Sequence, residues 1–252
     1  MAKPYILISN DDGVSAPGLQ FLIETLRPVA DLLVVAPDSA RSGFGCSITS
    51  ALPIRYKVLK KERGLTVCSC TGTPVDCVKL ALNVFHKRRP DLVVGGINHG
   101  DNSSVNAHYS GTMGVVTEGA LQGLPAIAFS LCDHRENADF SPLAPYITDL
   151  VFKTMAFGLP QFTCLNVNFP KAAHFKGMKV CRMSKSRWQN ELVGHRHPAM
   201  GKYYWLLGES HDLEPEATDT DRWALEHGYV AITPTTLDVT ANDLVTVLRQ
   251  YF

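Results

Sequence analysis

The sequence predicts a doubly wound α/β protein built on a mainly parallel sheet, and three observations predict it. Short apolar runs without polar alternation recur at Tyr5-Ile6-Leu7-Ile8, Leu32-Leu33-Val34-Val35-Ala36, Leu92-Val93-Val94-Gly95-Gly96-Ile97 and Ala126-Ile127-Ala128-Phe129-Ser130. Runs of this kind suit parallel strands buried on both faces. Segments with helical spacing of apolar residues stand between them, which gives the β-α-β order of such sheets. Polar clusters follow the runs, at the strand ends where open α/β sheets hold their ligands.

The elements follow in order. The first strand, 5–8, ends at Asn10-Asp11-Asp12-Gly13. Ala16-Pro17-Gly18 then opens a helix, with Leu19, Leu22, Ile23 and Leu26 at helical spacing and Pro28 as its stop. The second strand, 32–36, ends at Pro37-Asp38. Residues 54–58 and 65–70 read as a small antiparallel excursion turning at Arg63-Gly64. Thr73-Pro74-Val75-Asp76 reads as an N-cap with proline at the first helical position, and the helix runs to about Phe85. The third strand, 92–97, ends at Asn98. A polar loop, 99–110, leads into a helix over about 111–122. A fourth strand at 126–130, a helix at 142–157 and a strand at 163–168 follow. Residues 175–212 differ in character. Trp188, Tyr203, Tyr204 and Trp205 stand among polar residues there, which reads as a β-rich insertion or arm. A helix at 220–227, a strand at 229–233 and an amphipathic helix from Asp243 complete the chain.

Length and composition narrow the functional classes. The 252 residues, 45% hydrophobic and 19% charged, suit one folded domain with or without an appendage. Net charge is zero, so no basic surplus exists to neutralise a nucleic-acid polymer. Lys60-Lys61-Glu62-Arg63 and His86-Lys87-Arg88-Arg89 are short runs that read as solvated turns. The seven cysteines have neither disulfide-framework nor zinc spacing, and read as reduced thiols. No apolar stretch reaches the roughly eighteen residues of a membrane helix, and the short apolar run after Met1 is no signal peptide. A soluble, cytoplasmic protein without a membrane partner is expected.

Three polar clusters fall at successive strand ends: Asn10-Asp11-Asp12, Asp38 through Ser42, and Asn98 through Ser110. Adjacent carboxylates in a dry site repel each other, and a cation relieves that repulsion. Asp11, Asp12, a serine hydroxyl and an asparagine carbonyl make an oxygen set suited to one Mg²⁺, Mn²⁺ or Ca²⁺. The alternative is a plain loop turn at Asp12-Gly13, with Asp11 capping the next helix. Tyr109-Ser110-Gly111-Thr112-Met113-Gly114 opens a helix whose free N–H groups and hydroxyls would bind an anion such as phosphate. An ordinary Ser/Thr cap is the alternative there. Neither a GxxxxGK(S/T) loop nor a GxGxxG after the first strand occurs. A hard-metal site beside an anion site points to phosphoester hydrolysis by a metal-activated water, with Asp11 or Asp12 taking the water's proton. His99 and His108 flank the loop, each either a proton donor to the leaving group or a loop-bracing histidine. Arg41 could meet a phosphate or brace its loop. Trp188, Tyr203 and Trp205 suit packing or interface contacts more than base stacking.

These motifs resemble the survival protein E (SurE) nucleotidases. The resemblance is carried by Ile8-Ser9-Asn10-Asp11-Asp12-Gly13, Val35-Ala36-Pro37-Asp38, Arg41-Ser42-Gly43 and Ser47-Ile48-Thr49. It continues in Gly72-Thr73-Pro74-Val75-Asp76-Cys77-Val78, Gly96-Ile97-Asn98-His99-Gly100-Asp101-Asn102, Tyr109-Ser110-Gly111-Thr112, Gly228-Tyr229-Val230, Ile232-Thr233-Pro234 and Asp238-Val239-Thr240. The resemblance implies a Rossmann-like, three-layer αβα sheet and a C-terminal arm exchanged between subunits of a homodimer or homotetramer. It implies hydrolysis of nucleoside 5′- and 3′-monophosphates. It implies metal ligation by Asp11, Asp12, Ser42 and Asn98, with Asn102, Ser110, Gly111 and Thr112 on the phosphate side and the arm at an oligomer contact. The chain departs from the pattern at Ser103-Ser104-Val105-Asn106-Ala107-His108, where many members have a glycine and an acid, and at Asn242, where many have histidine. Two other classes remain open: a non-enzymatic nucleotide-binding regulatory module, and an aspartyl-nucleophile phosphatase. The adjacency of Asp11 and Asp12 disfavours the latter, which needs one residue between its aspartates.

Overall fold

The computed structural model describes residues 3–85, 88–135 and 137–252, so His86 and Lys87 of the second basic run lie outside the described residues. The apolar runs form β1 (Tyr5–Ser9), β2 (Asp31–Pro37), β3 (Tyr56–Glu62), β4 (Leu65–Cys70), β5 (Leu92–His99), β6 (Ala126–Leu131), β7 (Thr163–Phe169) and β8 (Met178–Val180). With β13 (Val230–Thr236) they build a nine-stranded sheet in the order β3-β4-β2-β1-β5-β6-β7-β13-β8. Pairing is parallel from β4 across to β7. It is antiparallel between β3 and β4 and between β13 and β7.

Side chains alternate between two apolar layers, which is why the strand runs carry no polar alternation. Ile6 and Ile8 join α1 (Pro17–Leu26) and α4 (Ala144–Phe157) on one face. Leu7 joins α2 (Pro74–Val84) and α3 (Gly111–Leu121) on the other. The helix α1 turns Leu19, Leu22 and Leu26 into the first layer with no exposure at all. Burial of each contributes about 1.5–3 kcal/mol relative to leaving it in water. Gly18 lets α1 approach the sheet, since a Cβ there would lie 2.2 Å from the Ile97 carbonyl oxygen.

Local chemistry fixes the helix starts. Thr73 Oγ1 accepts from Asp76 N (3.2 Å), and the Asp76 carboxylate accepts from Thr73 N (2.9 Å), a reciprocal capping box with Pro74 at the first position. The same residues hold the preceding loop: Thr73 Oγ1 donates to Ser47 O (2.7 Å), and Asp76 accepts from Thr49 N. Ala16 precedes α1 without a side-chain cap, so Asp11 is not a helix cap.

Several sequence expectations are corrected. β3 extends through Lys60, Lys61 and Glu62, so only Arg63-Gly64 forms the turn; an exposed edge strand tolerates charge on both faces. Arg88 and Arg89 are exposed and tied to Asp91 and to Gln122 O. The first part of the expected arm, 178–180, is the edge strand β8 of the main sheet. The projecting part is a nested hairpin in which β9 (Ser186–Gln189) pairs with β12 (Glu209–Asp212), and β10 (Leu192–His197) pairs with β11 (Gly201–Leu206). A short helix, α5 (Asp221–Glu226), precedes β13. The last helix, α6 (Asn242–Leu248), buries no residue, so its apolar side chains have no layer in this chain to join.

Thr73→Ala is expected to lower unfolding stability by about 1–2 kcal/mol. A urea melt would read this as a lower midpoint with unchanged slope. An unmoved midpoint would mean that neither the cap nor the Ser47 tie contributes.

Candidate active site

The chain leaves β1 for β2 on one side and returns to β5 on the other, which opens a crevice beyond the carboxyl ends of β1 and β5. Asp11 and Asp12 follow β1. Asn98 lies near the end of β5, just past an irregularity between Gly95 and Asn98 in the pairing with β6. Bulges of this kind re-aim a side chain at a sheet edge. Asn98 Nδ2 donates to Gly100 O (2.8 Å), which leaves Oδ1 turned toward Thr112 Oγ1 at 3.5 Å.

Asp11 is 3% exposed. Its carboxylate accepts from Thr112 Oγ1 (2.5 Å), and its carbonyl accepts from Arg41 N (2.6 Å), which places Ser42 beside it. Gly111 opens α3 against the carboxylate. A Cβ at Gly111 would lie 2.6 Å from Asp11 Cβ and 3.0 Å from Oδ2. The positive end of the α3 dipole therefore faces the buried charge. Burial pushes the Asp11 carboxyl up to about 6, against the pull of the Thr112 hydroxyl, and the neighbouring Asp12 charge adds to the rise. Asp12 is raised by burial too, with the His99 N–H and the charges of His99 and His134 opposing. That N–H donates to Asp12 Oδ2 at 3.2 Å.

Two carboxylates held up in pKa and short of donors, next to an amide carbonyl and a hydroxyl, fit a hard divalent cation. Among the described residues no group of three or more His, Cys, Asp or Glu is placed to hold a metal ion, so any cation here would depend on the amide and hydroxyl oxygens beside the two carboxylates. Asp11, Ser42, Asn98, Asn102 and Ser110 line one cavity of about 630 Å³. Asp12 is not on its lining, and Gly111 and Thr112 stand behind Asp11. Ser110 Oγ accepts from Met113 N (3.0 Å), so the hydroxyl caps α3 and the capping alternative holds for that side chain. Asn102 is held by buried amides: Asn102 N donates to Asn168 Oδ1 (2.8 Å), its Nδ2 to Ser130 Oγ (2.8 Å), and Asn166 Nδ2 to Asn102 O (2.7 Å).

Other expectations resolve differently. His99 also lines the cavity, but its ring packs edge-on against Phe140 and its Nε2 is buried without a partner. His108 is not on the lining. Arg41 braces its loop through Asp38 and Thr71 O. Trp188, expected in packing, lines the cavity and donates from Nε1 to Asn106 Oδ1 (3.0 Å), whereas Tyr203 and Trp205 are exposed on the hairpin. Glu191, Leu206 and Leu207 of the arm complete that wall. His134 also lines the cavity. Sequence reasoning passed over it, although it follows β6, another strand end at the same sheet edge.

Fold and cavity together define a doubly wound α/β protein in which a buried Asp11 carboxylate meets the start of α3 at the topological switch point. The sequence model described as Survival protein SurE matches residues 6–190, and the chain belongs to that family. It is 55% identical to a protein of Phocaeicola vulgatus named 5′-nucleotidase SurE, over 99% of this chain and 97% of the relative. It is 54% identical to the protein of that name from Bacteroides thetaiotaomicron, over 99% and 96%. The crystal structure of the SurE protein from Aquifex aeolicus superimposes with a TM-score of 0.83 at 36% identity, covering 98% of this chain and 99% of that one.

The Asp11 carboxyl titrates near 6 in the folded protein against an ordinary value of 3.8. The folded state therefore holds this proton more tightly than the unfolded state. The resulting stability is complete below about pH 4 and is lost as pH rises through about 6. Without added metal, Asp11→Asn is expected to melt higher than wild type at neutral pH, by at most about 3 kcal/mol in stability. The gap should shrink toward pH 4. A gap that is absent or constant with pH would contradict a buried, uncompensated Asp11 charge.

Proposed function

We propose that this chain is a divalent-metal-dependent phosphomonoesterase that hydrolyses nucleoside 5′-monophosphates, and also 3′-monophosphates, to nucleoside and phosphate. The observation that carries the reading is the buried Asp11 carboxylate facing the start of α3 at the edge of a ligand-sized cavity. The names of the relatives agree with it.

Asp11, Asp12, Ser42 and Asn98 would hold one Mg²⁺, Mn²⁺ or Ca²⁺ per subunit. A bound cation supplies Lewis-acid polarisation of the phosphoryl group and a more acidic water. The chain's own residues do the rest. Ser110 at the cavity, with Gly111 and Thr112 behind Asp11, would put the positive end of α3 on the phosphate side of the site. Asn102, fixed by Ser130, Asn166 and Asn168, lies on the same side with Ser110. One carboxylate of the pair accepts the proton of the attacking water. The wall of Trp188, Leu206 and Leu207 presents an apolar and aromatic surface suited to a base and sugar.

The same reading makes the protein a homodimer or homotetramer in the cytoplasm, with no nucleic-acid or membrane partner. Leu244, Val247, Leu248, Tyr251 and Phe252 are all exposed on and after α6, and a seven-residue helix has little stability by itself. An apolar groove of about 660 Å³ lined by Leu150, Phe157, Leu165, Val180 and Ile232 is open on the sheet. Exposed surfaces of this kind mark contacts between chains. Seven free thiols suit a reducing compartment, and no helix among the described residues is long and apolar enough to cross a membrane.

Purified protein with Mn²⁺ or Mg²⁺ is expected to release phosphate from nucleoside monophosphates, and EDTA to stop it. Asp12→Asn should lose at least about 100-fold in kcat/KM with its fold intact. Wild-type turnover in that variant, or in EDTA, would sink the metal assignment. Removal of residues 242–252 is expected to weaken the assembly, read by light scattering. An unchanged mass would place the contact elsewhere.

A further inference from the structure

Hydrolysis of a nucleoside monophosphate expels an alkoxide, a strongly basic leaving group that departs readily only when a proton reaches it. The residues assigned to the cation cannot supply that proton while they ligate. His108 is off the cavity, and the His99 ring is locked against Phe140 with Nε2 enclosed. Tyr109 reaches the cavity from the turn before α3. Glu191 stands on the arm wall beside Leu206 and Leu207.

His134 is placed differently. It lies in the loop after β6, exposed to water, and lines the cavity together with Asp11 and Asn98. Its ring lies on the bare backbone of Gly100. A Cβ at Gly100, whose φ is +102°, would meet His134 Cε1 at 2.2 Å and Nδ1 at 2.7 Å. The loop is braced on both sides of the histidine. Gly100 N donates to Leu131 O (2.8 Å), and Asp133 N donates to the same oxygen (2.7 Å). The Arg135 guanidinium grips both oxygens of the Asp133 carboxylate, 4% exposed, and Lys171 approaches it at 3.6 Å. The imidazole thus rests against Gly100, two residues along β5 and its end from Asn98, on the cavity lining and exposed to water.

We propose that His134 is a catalytic residue, the proton donor to the leaving oxygen of the ester. The proposal rests on the phosphomonoesterase reading and adds a group to it. As the water oxygen bonds to phosphorus, the bond from phosphorus to the ester oxygen breaks and its electron pair stays on that oxygen. The imidazolium N–H proton moves there and yields the nucleoside hydroxyl. The proton of the attacking water passes to a carboxylate and then to solvent, and the neutral imidazole takes a proton back from water. Ester and water thus become nucleoside and hydrogen phosphate.

The test compares two leaving groups. Nitrophenolate departs without a proton, whereas the nucleoside alkoxide needs one. With saturating Mn²⁺, kcat/KM is measured for adenosine 5′-monophosphate and for p-nitrophenyl phosphate in wild type, His134→Ala and His134→Gln. The ratio of nucleotide to nitrophenyl turnover is expected to fall about 100-fold in both variants, since glutamine donates a hydrogen bond but transfers no proton. Asp12→Asn serves as control, lowering both substrates together. A ratio equal to that of wild type in His134→Ala would overturn the assignment, whether both rates fall or neither does. A wild-type enzyme inert to both substrates with every metal would overturn the phosphomonoesterase reading and this one together. Activity with an unmoved ratio overturns only the role of His134.

Discussion

The structure turns on one buried charge. Asp11 stands at the end of the central strand with almost no exposure, and its carboxylate is offset by a single threonine hydroxyl and the start of α3. A carboxylate in that position is costly to ionise, and burial pushes it up to about 6. The surroundings are arranged around it. Position 111 excludes a side chain, Thr112 is fully buried to present its hydroxyl, and Ser110 gives up its own hydroxyl to start the helix at the right residue. The fold therefore holds a buried carboxylate, only partly compensated, at the switch point of its sheet.

The second constraint is the loop from Asp101 to Tyr109. It has little core of its own, so its shape is set by what grips it. From the sheet side, Asn166 and Asn168 on β7 and Ser130 on β6 hold Asn102 through buried amides. From the other side, the fully buried Asp221 at the start of α5 accepts from Ser104 N (2.9 Å) and from Ser184 N (2.9 Å). One carboxylate thus ties the loop to the chain that leads into the arm. The Trp188 indole closes the connection by donating to Asn106. The sheet therefore holds the Asn102 side of the cavity, and the arm forms another wall.

Legibility followed the physics of each element. Strands buried on both faces announce themselves as unbroken apolar runs, and β1, β2, β5 and β6 fell where those runs lie. Strand ends in such a sheet converge, so Asp11, Ser42 and Asn98, which lie at or after the ends of three different strands, meet on one cavity lining. Two kinds of feature escaped. Edge elements such as β3 and β8 have one partner and water on the rest, so their composition resembles that of turns. Residues positioned by tertiary contact, such as His134 on Gly100 or Asn166 and Asn168 beneath Asn102, carry no local periodicity. The apolar pattern of α6 was visible, but a pattern states only that a face wants covering, and no residue of α6 is buried in this chain.

The loop departures can now be weighed by what the residues do. The resemblance to the family breaks at Ser103-Ser104-Val105-Asn106-Ala107-His108. Ser104 adopts a left-handed backbone (φ 52°) that glycine would adopt without strain, and its N–H is anchored on Asp221. Asn106 supplies the acceptor that the Trp188 indole needs, a role a carboxylate would also fill. Ser104 and Asn106 thus give this loop a backbone reversal after Asn102 and a polar latch for the arm. The latch joins this loop to the far wall of the cavity, which Trp188, Glu191, Leu206 and Leu207 line.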